Sequence, residues 1–243
     1  MITEWTAATQ ATDAILAGIA LPRPAIVAVD GVYRPSVDSA LLCKHTVTEV
    51  ARAEATGRTM IELCAGSGIA SIYAALAGAR VTAVDDRPDA TAAVADNAAR
   101  NDLHVDTVLA DVRTWIPPAP ADLVVANPPY VPVSTVAVDD GHAWNAGHDG
   151  RAVLDPLVRH ARNLVVPGGA LILVHSAVAG VSATLDGLHE HGFDADVVDE
   201  VLLEFGPVMR GRTAWLATNG LIARDQSTER LIVVRAIRRL EHR

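Results

Sequence analysis

The sequence predicts an α/β fold, with a mostly parallel sheet covered by helices on both faces. Three observations predict it. From residue 59 onward, short apolar runs alternate with amphipathic segments, the pattern of buried strands joined by helical crossovers. The first run ends in a glycine-rich turn that opens a helix. Half of the 243 residues are apolar and 20% are charged, enough for a sizeable core without disulfides or a structural metal.

The elements follow in order. Residues 4–20 read as a short helix of mixed periodicity. Residues 25–34 read as extended, with Asp30-Gly31 as a hairpin turn signal. Residues 36–56 read as a helix capped by Ser36 and stopped before Gly57. Strands are expected at 59–64, 80–85, 106–110, 121–127 and 170–176, and helices near 69–78, 88–101, 151–164 and 179–191. Residues 194–205 and 228–237 read as two more strands, for seven in all, and 206–227 between them reads as irregular. With no repeat or low-complexity linker, the expected organisation is one domain over 1–243, with an N-terminal extension at 1–35 and an irregular insertion at 206–227.

Net charge is −9, so nonspecific attraction to a polyanion is not expected. Lys44 is the only lysine; the other 19 of the 20 cations are arginine. Two cysteines, Cys43 and Cys64, make no disulfide framework, and no Cys/His cluster has zinc spacing, so no metal is expected. No basic residue precedes Arg23, no export signal is legible, and no apolar run has membrane-spanning length. The reading is a reduced, cytoplasmic protein with no membrane partner.

The segment Glu62-Leu63-Cys64-Ala65-Gly66-Ser67-Gly68 ends a strand and opens a helix. Glycines there let the backbone turn tightly and approach a ligand, and the helix presents its first N–H groups to it. Asp85 ends the next strand, 17 positions after Gly68, where a carboxylate can accept both hydroxyl hydrogens of a ribose. Asp86 is the competing ribose ligand. Glu62 would repel a pyrophosphate but favour an amino group or a sulfonium. That points to S-adenosylmethionine, released as S-adenosylhomocysteine, over NAD. Cys64, Ala65, Gly66, Gly68 and Val112 belong to the same expected cofactor site. Asp111 ends the third strand, either as acceptor for the adenine amino group or as a simple loop aspartate.

Asn127-Pro128-Pro129-Tyr130 closes the strand at 121–127 and is the most specific signal in the chain. The prolines fix backbone angles, remove two N–H donors and leave carbonyl oxygens pointing outward. Asn127 Oδ1 and the Pro128 carbonyl can hold both hydrogens of a planar NH2 group. Such a nitrogen has a delocalised lone pair and is a poor nucleophile. Gripping its hydrogens favours a more pyramidal nitrogen, with the methyl sulfonium in line with its lone pair. Asn127, Pro128 and Tyr130 are the expected catalytic residues. Tyr33, Pro35, Asn127, Pro129, Tyr130 and Trp144 are expected around the substrate, and Asn127 also touches the cofactor.

With these motifs the chain resembles class I S-adenosylmethionine-dependent methyltransferases, and among them the HemK-type glutamine methyltransferases. Val32-Tyr33-Arg34-Pro35-Ser36-Val37-Asp38-Ser39 looks like the family segment that borders cofactor and substrate. Glu62 to Gly68, Asp85 and Asn127 to Tyr130 match its cofactor and substrate motifs. Trp144 with Gly147-His148-Asp149-Gly150-Arg151 looks like the stretch that follows, and Pro167-Gly168-Gly169 like the superfamily's turn before a strand. The resemblance spans about residues 29–204 plus the last strand. It implies a Rossmann-like, mostly parallel seven-stranded sheet with an antiparallel last strand, and methyl transfer to a protein glutamine such as that of a translation release factor. The resemblance is to the compact branch, which is expected without the N-terminal helical domain of the bacterial enzymes and often pairs with a small zinc-containing activator subunit.

His142, His148 and His160 lie near the expected substrate side, but no pair has zinc-site spacing. Trp115 and Trp215 read as core. Arg230, Arg235, Arg238, Arg239 and Arg243 read as a solvated strand face and tail rather than an RNA contact. Competing readings are an adenine amino-methyltransferase, a small-molecule methyltransferase with 206–227 as a lid, and a cofactor-binding scaffold without catalysis. The acidic balance counts against nucleic acid, and the intact Asn127 corner counts against the scaffold.

Overall fold

The structure, a computed structural model, describes residues 2–52, 57–134 and 143–240, with side chains from residue 9 onward. Seven strands form one sheet in the order β3-β2-β1-β4-β5-β7-β6. They are β1 (Thr59–Leu63), β2 (Arg80–Asp85), β3 (Asp106–Leu109), β4 (Ala121–Ala126), β5 (Val165–Ser176), β6 (Phe193–Glu204) and β7 (Thr228–Arg238). The first five pair in parallel, and β7 runs against both neighbours. Only the last strand is reversed, as the sequence implied.

The central strands are apolar throughout because both faces are covered. Successive side chains point to opposite faces. On β4, Leu123 and Val125 enter one core while Val124 and Ala126 enter the other. On β5, Ala170, Ile172 and Val174 alternate with Leu171 and Leu173 in the same way. The first core packs under α1 (Ile2–Ala17), α2 (Val37–Ala51), α3 (Ile69–Leu76) and α4 (Pro88–Arg100), the second under α5 (Leu154–Leu164) and α6 (Val181–Glu190). Leu123 through Ala126 are all 0% exposed, and burying each larger side chain contributes about 1.5–3 kcal/mol.

Several expectations change. Residues 25–34 form no named strand. The segment is extended, but its backbone groups pair with α4 side chains. Asn101 bonds Ala25 N and O at 2.9 Å each, and Asn97 accepts from Val27 N at 2.9 Å. Two asparagines one helical turn apart thus take the place of a partner strand. The helix expected over 36–56 is described to Ala51 and Arg52; residues 53–56 lie outside the described ones. Pro167-Gly168-Gly169 is no turn before β5 but a bulge within it. The register with β4 jumps from Ala121↔Val165 to Leu123↔Ala170. A Cβ on Gly169 would sit 2.9 Å from the carbonyl oxygens of Asp122 and Val166, so the bulge needs glycine.

The largest correction concerns 206–227, which contains a helix, α7 (Pro207–Thr218). Pro207 occupies its first turn, where the missing N–H costs nothing. Gly220, with φ +71, ends it, and Leu221 N returns to the Leu216 carbonyl at 2.9 Å. Met209 and Leu216 of α7 pack with Val131, Phe205 and Ile222 in a small core of their own. That core seats α7 over the loop that follows β4. Among the described residues, no helix is long and apolar enough to cross a membrane.

Candidate functional site

One cavity of about 360 Å³ opens at the carboxyl ends of β1, β2, β3 and β4. In open parallel sheets ligands bind at that edge. The start of β7 faces the same edge, because the strand is reversed, and brings Glu229 to the wall. All the residues expected around cofactor and substrate line this cavity except Pro35 and Gly68. Pro35 instead precedes Ser36, the N-cap of α2. Gly68, with φ +73, caps α3, and a Cβ there would lie 2.9 Å from Val94. Its small size serves the packing of α3 on α4.

Asp85 is buried and anchors two turns at once. Its Oδ2 accepts from Gly66 N at 2.9 Å and its Oδ1 from Arg87 N at 3.0 Å. Asp86 beside it is exposed. Asn97 donates to the Ser67 carbonyl at 3.0 Å, so α4 also braces the glycine turn. Cys64 stands in the left-handed region at φ 56, a conformation unusual for a residue with a Cβ. Its thiol is pushed well up, by burial first and then by Asp85 and Asp86. Asp111 has its carboxylate gripped by Arg113, with Nη2 2.7 Å from Oδ2 and Nε 2.9 Å from Oδ1. His160 bonds the Val112 carbonyl at 3.3 Å.

Glu62 is 3% exposed and accepts from Ser71 N at 2.8 Å and from the Ser71 hydroxyl. Burial raises its carboxyl from 4.5 to about 7, against the pull of the two Ser71 bonds. A buried acid poised near neutrality takes full charge when a cation comes to lie beside it.

On the other side of the cavity, Asp38 ties two phenols together. Its Oδ2 accepts from Tyr33 at 2.9 Å and from Tyr130 at 3.0 Å, and its Oδ1 accepts from Ser39 N at 2.7 Å. Both phenols are held well above their ordinary range, by burial first and then by Asp38. The corner itself is clamped from behind. Val131 N donates to the Trp144 carbonyl at 2.8 Å, and Ala146 N to the Val131 carbonyl at 3.0 Å. Gly150, with φ +79, lies so close that a Cβ would be 2.3 Å from the Tyr130 carbonyl oxygen. Arg151 then binds the Ala179 and Gly180 carbonyls at 2.6 and 3.0 Å, locking the stretch to the start of α6.

Among the residues that line the cavity, Asn127 Oδ1, Trp144 Nε1 and Glu229 Oε2 are buried without a hydrogen-bond partner. Buried polar atoms are nearly always satisfied, so these are candidates for bonding to a ligand. Glu229 escaped sequence analysis, as did Asp38 in its anchoring role and Pro207, Val208 and Met209 of α7. His148 stacks edge-on against Trp215 at 5.3 Å, and His142 lies outside the described residues. Arg230, Arg235 and Arg239 pair with Glu200, Glu49 and Asp194, while Arg243 lies outside the described residues.

A mostly parallel sheet with one reversed strand, and a glycine turn after its first strand, place the chain in the Rossmann-like α/β class. The family model of the methyltransferase small domain matches residues 27–193, and the chain belongs to that family. It is a methyltransferase. The mouse methyltransferase HEMK2 is 35% identical over 153 residues, covering 59% of this chain and 71% of that protein. A Methanocaldococcus jannaschii protein with the provisional name protein N5-glutamine methyltransferase is 28% identical over 182 residues, covering 73% of this chain and 89% of its own. Among solved structures, the E. cuniculi Mtq2–Trm112 complex, described as responsible for methylating the termination factor eRF1, superposes with TM-score 0.58. It is 19% identical and covers 85% of this chain and 98% of that one, a likeness of fold.

Proposed function

We propose that this chain transfers the methyl group of S-adenosylmethionine to the side-chain amide nitrogen of a protein glutamine, with a translation release factor as the substrate class. The observation that carries the reading is Asn127 Oδ1, an acceptor buried at the cavity wall with no partner. It wants an N–H donor, and a primary amide brings two.

The residues present fit the cofactor. Asp85 offers a fixed carboxylate to a ribose, Gly66 lets the backbone approach, and Glu62 offers a carboxyl that charges readily beside an ammonium. Cys64, Ala65 and Val112 supply apolar contact, with Asp86 and Asp111 at the rim. When bound, the cofactor supplies an electrophilic methyl on a positively charged sulfur and leaves as S-adenosylhomocysteine.

Asn127 Oδ1 and the Pro128 carbonyl accept the two amide hydrogens and draw the nitrogen lone pair out of conjugation. Pro129 holds the turn, and Tyr130, tethered to Asp38 together with Tyr33, presents its ring to the flat amide. Rate enhancement then comes from fixed dipoles and alignment. No strong base is needed, because the proton leaves after the nitrogen has gained the methyl. The family resemblance supports a small activator subunit as partner.

Incubation of the purified chain with methyl-labelled cofactor and a cell extract, followed by peptide mass spectrometry, tests the reading. Methylglutamine in a protein is expected. Label confined to nucleic acid or to small molecules overturns it.

A further inference from the structure

We infer that Trp144 is a specificity residue: its indole N–H donates to the carbonyl oxygen of the same carboxamide whose nitrogen Asn127 grips. This rests on the amide reading above and deepens it. Trp144 Nε1 is buried, lines the cavity and has no hydrogen-bond partner, while Asn127 Oδ1 in the same cavity has the opposite polarity and the same deficit. Two residues lining one cavity thus carry an unmet donor and an unmet acceptor. A carboxamide is the complementary group, with an N–H donor and a carbonyl acceptor on a single carbon. An alkyl or aryl amine would satisfy Asn127 and leave the indole N–H buried and unbonded.

The backbone holds the pair as a fixed device. Trp144 is joined to the Asn-Pro-Pro-Tyr corner by the Val131 N to Trp144 O bond of 2.8 Å and by the Val131–Asn145 bridge. Its ring packs against the small core that also holds Val131, Phe205 and Met209. Donor and acceptor therefore move as one body. Sites built to hydrogen-bond a substrate reject analogues that lack the matching group, because a buried polar atom is left unpaired.

The test compares the full-length chain with Trp144→Phe, which keeps an aromatic ring and removes the N–H. Acceptors are a glutamine-containing Gly-Gly-Gln peptide and the same peptide with 4-aminophenylalanine in place of glutamine. The variant is expected to lose about 10- to 100-fold in kcat/KM on glutamine, to keep its cofactor affinity by calorimetry, and to lose little or nothing on the aryl amine. In the wild-type chain with indole nitrogens labelled, the Trp144 N–H resonance is expected to shift downfield when glutamine peptide is added to the S-adenosylhomocysteine complex. A wild-type enzyme that methylates glutamine, with Trp144→Phe unimpaired and the resonance unmoved, overturns the inference alone. A wild-type chain active on the aryl amine and inert toward glutamine overturns the amide reading and the inference with it.

Discussion

Glu62→Gln removes one ionisation from a buried carboxylate of the site while keeping an oxygen to accept from Ser71. Burial holds the wild-type carboxyl at about 7 in the folded chain, against 4.5 for an ordinary glutamate. The unfolded chain therefore gives up this proton first. Below pH 4.5 both states are protonated and Glu62 is neutral in its effect. As pH rises from 4.5 to 7 the folded state binds more protons than the unfolded, and stability falls. Above pH 7 the full penalty stands, about 3 kcal/mol. His175, buried and pushed down to about 4, acts in the opposite sense over an overlapping range. The informative quantity is thus the difference between Glu62→Gln and wild type at each pH. Urea unfolding should give equal stabilities near pH 4.5 and a variant more stable by up to about 3 kcal/mol at pH 8. Cofactor affinity at pH 8 should move the other way, because the neutral amide no longer meets a cation with a charge. Parallel stability curves from pH 4.5 to 8 would refute the reasoning, since Glu62 would then titrate like an exposed carboxylate.

Other perturbations follow from the same geometry. Asp85→Ala should weaken S-adenosylmethionine binding by about 1–3 kcal/mol by calorimetry, through a lost charge-assisted bond; unchanged affinity would assign the ribose to another carboxylate. Gly150→Ala should lower the melting temperature sharply, since its Cβ would lie 2.3 Å from the Tyr130 carbonyl oxygen at φ +79; a shift of only a degree or two would show that the loop relaxes freely. Asp38→Ala strands two buried phenol hydroxyls and should cost about 2 kcal/mol or more of stability, along with at least a tenfold loss in kcat/KM. Wild-type turnover in that variant would deny Tyr33 and Tyr130 their tethered placement.

The sheet was legible because strands buried on both faces are written as unbroken apolar runs, and Leu123 to Ala126 leave no other reading. The glycine turn and the Asn127 corner were legible because each is a continuous segment whose chemistry lies in its own residues. What was missed depends on residues distant in sequence. Glu229 reaches the cavity only because β7 runs backwards between β5 and β6. Asp38 reads as one position of a segment, and its role as shared acceptor needs Tyr130, 92 positions away, to be brought beside it. α7 was hidden by Gly206, Gly211 and Gly220, although Pro207 at its start and Gly220 just past its end are ordinary helix signals. The Pro167-Gly168-Gly169 segment shows the reverse error, a turn signal absorbed as a bulge because β4 pairs on either side of it.

Single-turnover methyl transfer by Asn127→Ala, measured beside its affinity for S-adenosylmethionine, addresses the central claim most directly. Loss of about 100- to 1,000-fold in rate is the expected result, on the order of what removing a preorganised polar group costs such sites, with the dissociation constant changed little. Undiminished transfer to glutamine by that variant would contradict the account, because the nitrogen would then be activated by something other than the Asn127 oxygen.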